Sequence, residues 1–120
     1  MNQLTADQIR AAVEAGRRET EEFLCDLIRY PSVPGHEKPA MECAAARFAR
    51  LAEVEHVQLD NSLREDEDYS WPVPDLEYDG RFNLRLRRPG SGGGRSLLLN
   101  THMDVVPASK DHERPFDPRV

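Results

Sequence analysis

The run Ser96-Leu97-Leu98-Leu99-Asn100 restricts this chain more than any other feature. A strand that is apolar on both faces needs cover on both, so the run predicts an interior strand of a layered sheet. Pro89-Gly90-Ser91-Gly92-Gly93-Gly94 precedes it and Val105-Val106-Pro107 follows closely. Upstream of the glycines, Phe82, Leu84 and Leu86 alternate with Asn83, Arg85 and Arg87, the period of a half-exposed strand. The two strands and the turn between them read as a hairpin. A glycine-rich loop also cradles phosphate where a helix and a Lys-Ser/Thr pair follow it. Here a strand follows, which argues against that use.

The first thirty residues carry a different period. Thr5 can cap a helix whose first turn holds Asp7 and Gln8, close to a capping box. Ile9, Val13, Gly16, Thr20, Phe23, Leu24, Leu27 and Ile28 recur at intervals of three and four, which predicts one apolar stripe against a core. Gly16 costs about 1 kcal/mol relative to Ala inside a helix, so a bend is expected there. Pro31 ends the helix by pushing Tyr30 out of the helical region. After the turn Pro31-Ser32-Val33-Pro34-Gly35-His36, a second helix is expected from Lys38, with Pro39 in its first turn. Met41, Ala44, Ala45, Phe48, Ala49, Leu51 and Ala52 give it a small-residue face suited to close packing on a sheet. Val54, His56, Val57 and Leu59 then look strand-like. The order predicts an α/β fold, with two or more helices packed on a mixed sheet.

Bulk composition narrows the function classes. The 120 residues allow one domain or part of one. Their apolar share is 38%, a polar balance against the about 45–50% usual for a globular domain on a count that also includes Gly. Such a chain leaves much surface wet or lacks the segment that completes its core. A net charge of −6 argues against nucleic acid or an anionic membrane as partner. No apolar run nears the roughly 20 residues that span a bilayer. The opening MNQLTADQIR lacks the basic and then apolar order of a secretory signal. Cys25 and Cys43 form no Cys-x-x-Cys pair and read as reduced, buried residues of a cytoplasmic protein. Glu65-Asp66-Glu67-Asp68 lacks the spaced oxygen ligands and turn glycine of a calcium loop, and reads as solvated. Trp71-Pro72-Val73-Pro74 forbids regular structure.

His102 and Asp104 follow directly on the apolar run, where the ends of strands in α/β proteins place ligands and catalytic groups. Residues two apart on an extended backbone share a face. His102 can therefore offer one ring nitrogen to a metal while Asp104 meets the other, fixing tautomer and orientation. Met103 between them turns away into packing. A His-x-Asp pair alone is a weak signal; its position at a strand end, the Thr101-His102 step and the closing Val105-Val106-Pro107 strengthen it.

Leu99-Asn100-Thr101-His102-Met103-Asp104-Val105-Val106-Pro107 resembles the first motif of the dizinc peptidase and deacylase family, which includes acetylornithine deacetylase, succinyl-diaminopimelate desuccinylase, aminoacylase and glutamate carboxypeptidase. Phe23 to Glu37, with its Pro31-Ser32 turn, resembles the family's amino-terminal helix and turn. Gly80-Arg81-Phe82-Asn83-Leu84 is similar to its strand before the hairpin, and Pro115-Phe116-Asp117-Pro118 to the segment after the motif. The likeness runs in matching order from Phe23 to Val120.

The resemblance implies a hydrolase of the metallopeptidase and deacetylase type, acting on an N-acyl amino acid or short peptide. It implies two zinc ions, with cobalt or manganese as alternatives, bridged by a water. It makes His102 a metal ligand and Asp104 the catalytic-site carboxylate that orients it. The family's bridging aspartate, Glu-Glu pair, further acidic ligand and final histidine have no counterpart here, and residues that read the substrate are unassigned. Residues 1–120 are thus expected to be the amino-terminal fragment of the catalytic domain, inactive alone, the full enzyme being a homodimer in many relatives. A non-catalytic binding module that keeps part of the fold is the alternative. Asp111, His112 and Asp117 match no family ligand and are expected to face solvent, and His36 and His56 to be structural.

Overall fold

A computed structural model describes residues 4–69 and 73–120, so Trp71 and Pro72 of the proline-rich stretch lie outside the described residues. Helix α1 spans Ala6–Ile28 and helix α2 Lys38–Phe48; strands β1, Glu53–Gln58, and β2, Phe82–Arg87, form a two-stranded antiparallel sheet. A 3-10 turn at Asn61–Glu65 opens the long connection between the strands. The fold is a mixture of helix and sheet, with α1 on α2 and α2 on both strands.

Thr5 caps α1 in a full capping box: its Oγ1 accepts from Gln8 N at 3.2 Å, and Thr5 N donates to Gln8 Oε1 at 2.8 Å. The apolar stripe packs only at its carboxyl end, where the Phe23 ring meets the Phe48 ring edge-on at 5.7 Å. Arg47 lies over Phe23 and reaches Glu19 at 2.7 Å. Ile9 and Val13 are exposed, because no element among the described residues lies against that end. The amino-terminal turns are laced instead by Asp7–Arg10, Glu14–Arg17 and Arg18–Glu22 pairs. Exposed pairs at this spacing each contribute little, and helical cooperativity adds to them. The helix runs through Gly16 unbroken, and the Thr20 hydroxyl donates to Gly16 O at 3.0 Å.

Of the small face of α2, Ala44 and Ala45 are buried, together with Ala40, whereas the helix ends at Phe48 and Leu51 beyond it is 60% exposed. In the sheet Val54 pairs with Leu86, His56 with Leu84 and Gln58 with Phe82. His56, exposed on the sheet, meets the Phe82 ring edge-on at 4.5 Å. Glu55 and Arg85 pair across the other face, with Nε to Oε2 at 2.8 Å. Between the strands Asn61 organises the loop, donating to Glu77 and accepting from Tyr78 N. Tyr78 is buried there, its hydroxyl 2.6 Å from that of Tyr69. Cys25 and Cys43 are free thiols, half-buried.

The expected third strand is absent. Residues 88–109 carry no helix or strand, and Leu97, Leu98 and Leu99 are 83%, 90% and 81% exposed. β2 takes β1 as its ladder partner, so the hairpin across the glycine turn does not form, and the sheet is antiparallel rather than mixed. A strand apolar on both faces has no stable place without neighbours on each side, and the described residues supply none. The radius of gyration, 17.9 Å, exceeds the roughly 13.6 Å of a compact chain of this length.

Candidate metal-ligand site

The site begins at the turn between the helices. Tyr30 N bonds Leu27 O as α1 ends, and Ser32 N bonds Tyr30 O at 2.8 Å. Gly35 takes a positive φ of 93°, which a side chain would resist, and lets the chain reverse into α2. Glu37 then holds this turn to the sheet. Its Oε1 accepts from Gly35 N at 3.1 Å, and its Oε2 meets Arg81 at 2.7 Å beside the start of β2. This ion pair is largely sheltered, with side-chain exposures of 14% and 25%, unlike the helix-surface pairs.

Residues 102–104 lie against that turn. Ser32 Oγ donates to Met103 O at 2.8 Å, and Val105 N donates to Ser32 O at 3.0 Å. His102 and Asp104 come together: His102 Nδ1 is 3.1 Å from Asp104 Oδ1 and 3.0 Å from Asp104 O. Both partners are acceptors when Asp104 is ionised, so in the neutral imidazole this arrangement assigns the proton to Nδ1 and leaves Nε2 its lone pair. The imidazole is mostly exposed and the carboxylate about half so. Met103 is half-buried, as its place between two outward side chains requires.

The tripeptide separates two clefts. One, of about 680 Å³, is mainly apolar and runs from Leu24, Leu27 and Ile28 to Val105 and Phe116. The other, of about 370 Å³, opens between Met41 and Phe48 of α2 and Phe82 and Leu84 of β2, with Glu37 and Arg81 in its wall. His102 borders both.

The donor set fits one corner of a zinc site. Imidazole with its second nitrogen on a carboxylate is the arrangement that raises ligand basicity. Catalytic zinc takes about three protein ligands, and among the described residues no group of three or more His, Cys, Asp or Glu stands together. Asp111, His112 and Asp117 are exposed, and Asp117 meets Arg114 and Arg119. His36 is exposed in the turn. Ser32, Glu37 and Arg81 escape a search for ligand types. Only the Pro31-Ser32 turn hinted at the first, and nothing in the spacing pairs the other two.

No family model matches the chain, and no solved structure matches it significantly. Among the described residues no helix is long and apolar enough to cross a membrane.

Proposed function

We propose that this chain carries the first metal-ligand segment of a zinc-dependent amide hydrolase, with His102 as ligand through Nε2 and Asp104 as the carboxylate that orients it. The observation supporting this most is the 3.1 Å contact between His102 Nδ1 and Asp104 Oδ1, which leaves Nε2 as the free donor. The ordered likeness to the dizinc peptidase and deacylase family supplies the rest. His102 and Asp104 would hold one edge of a site of two Zn2+ ions, for which Co2+ or Mn2+ can substitute at imidazole and carboxylate donors. The chemistry such ions supply when bound is acidification of a water and polarisation of an amide carbonyl.

What residues 1–120 contribute is orientation. Asp104 holds the ring in one tautomer, and ring rotation that would carry Nε2 off its axis breaks two contacts. The general base and remaining ligands would come from outside these residues. Substrates of this reading are N-acyl amino acids or short peptides, small molecules rather than nucleic acid or membrane, and the full enzyme would be a cytoplasmic homodimer. A second reading, a binding module without chemistry, draws on the lack of a three-residue ligand cluster among the described residues.

Hydrolysis of N-acetyl- and N-succinyl-amino acids with added Zn2+ tests both. We expect the 120-residue chain to be inert. A longer natural product of its gene should hydrolyse them in a chelator-sensitive reaction abolished by His102→Ala. A longer product that is inactive, or that keeps activity in His102→Ala, overturns the assignment. Zinc-dependent hydrolysis by the 120-residue chain itself, lost in His102→Ala, overturns the claim that one ligand is too few. A reading frame that stops at Val120 favours the binding module.

A further inference from the structure

We infer that Ser32 is a positioning residue for the His102–Asp104 pair, acting by fixing the two peptide planes on either side of Asp104. Three hydrogen bonds of Ser32 carry this. Its N–H is spent on Tyr30 O, its hydroxyl donates to Met103 O, and its carbonyl accepts from Val105 N. Met103 O belongs to the peptide plane before Asp104, and Val105 N to the plane after it. Holding both planes sets φ and ψ of Asp104, and with them the direction of its side chain.

The same anchor reaches His102. Asp104 O shares its peptide plane with Val105 N, and it is one of the two acceptors of the His102 Nδ1 proton. Asp104 Oδ1, the other acceptor, departs from the Cα that the two planes fix. Ser32 therefore sets both acceptors that select the Nδ1–H tautomer and leave Nε2 outward, although it hydrogen-bonds neither ring nor carboxylate.

Its leverage comes from where it lies. Ser32 is 4% exposed, so water does not readily replace its bonds. Among the described residues, the bonds that tie 88–108 to the rest of the molecule both end on Ser32. The platform beneath is stiff, since Pro31 fixes its own φ and the Gly35–Glu37–Arg81 contacts pin the far side of the turn. The inference rests on the metal-site reading for its purpose, but its geometry concerns the metal-free chain.

The test is nuclear magnetic resonance on the metal-free 120-residue chain at pH 9, well above the ordinary imidazole range. Imidazole 15N shifts report the His102 tautomer, and hydrogen exchange reports the Val105 amide. We expect His102 to hold Nδ1–H, and Val105 to exchange more slowly than Val106. In Ser32→Ala the Nδ1–H preference should be lost and Val105 should exchange roughly fivefold faster, the factor one net hydrogen bond corresponds to. Ser32→Thr, which keeps the hydroxyl, should restore both, while amides of β1 and β2 stay unchanged in all three chains. An unchanged tautomer and unchanged Val105 exchange in Ser32→Ala overturn the inference. So does an unprotected Val105 in the unaltered chain, a result that needs no variant to fold. Adding Zn2+ at neutral pH separates the two claims: metal bound at Nδ1 instead of Nε2 of His102 sinks the metal reading and leaves the metal-free tautomer result standing.

Discussion

Residues 4–69 and 73–87 and residues 88–120 are built on opposite terms. In the first region backbone groups are paired in two helices and a ladder, and three alanines of α2 and Tyr78 are buried. In the second no helix or strand forms, and the chain's most apolar run faces solvent. Yet the second region holds the His102–Asp104 pair, and it is held at one place by Ser32 of the first. The difference teaches that local pattern and completed packing are separate requirements. α1 needs little beyond its own capping box and surface pairs, whereas a strand at 96–100 needs neighbours on two edges and two faces.

The comparison can be broken by the same substitution in each region. Ala44→Asp places a carboxylate at a position 3% exposed between α2 and the sheet. It should cost about 3 kcal/mol or more and move the urea midpoint far down, melting the ladder with it. A midpoint that does not move would mean that α2 is not seated on the strands.

An intermediate effect is expected at the loop clamp. Tyr69→Phe removes the hydroxyl partner of Tyr78, at a cost of about 1 kcal/mol in the same denaturation. The Tyr69 hydrogen bond first, and burial second, hold the Tyr78 phenol above its ordinary value of 10.0. The folded state thus keeps that proton more tightly than the unfolded one. Its stabilisation is full below about pH 10 and is lost as pH rises through the higher folded value. Absorbance at the phenolate band should show Tyr78 titrating late, and earlier in Tyr69→Phe. Identical curves for the two chains would remove the clamp.

The smallest effect should be at Leu98. Leu98→Asp, at a side chain exposed to solvent, should change stability by no more than about 0.5 kcal/mol in the 120-residue chain. A loss comparable to that of Ala44→Asp would show that 96–100 is packed in solution, and the contrast between the regions would fall.

The elements that rest on local chemistry were legible in the sequence. Thr5 and Gln8 mark the start of α1, Pro31 its end, Pro39 the start of α2, and the Phe82-Leu84-Leu86 alternation β2. The His102–Asp104 contact was legible for the same reason, since it joins residues two apart. What the sequence did not disclose depends on partners distant in the chain. β2 chose β1 across a long loop instead of 96–100 across a short turn, because β1 offered paired side chains on both faces. Ile9 and Val13 have helical spacing but no element to meet, and no pattern announces that. Ser32 and Met103 lie 71 positions apart, and the Glu37–Arg81 pair joins a helix cap to a strand's edge.

The central claim is that His102 is a prepared metal ligand and the other histidines are not. A Zn2+ titration followed at the ring nitrogens of His36, His56, His102 and His112 tests it most directly. The account predicts that His102 responds at the lowest Zn2+ concentration, at Nε2, with Nδ1 keeping its proton and still donating it to Asp104. All four rings responding together, or His102 responding at Nδ1, would contradict it.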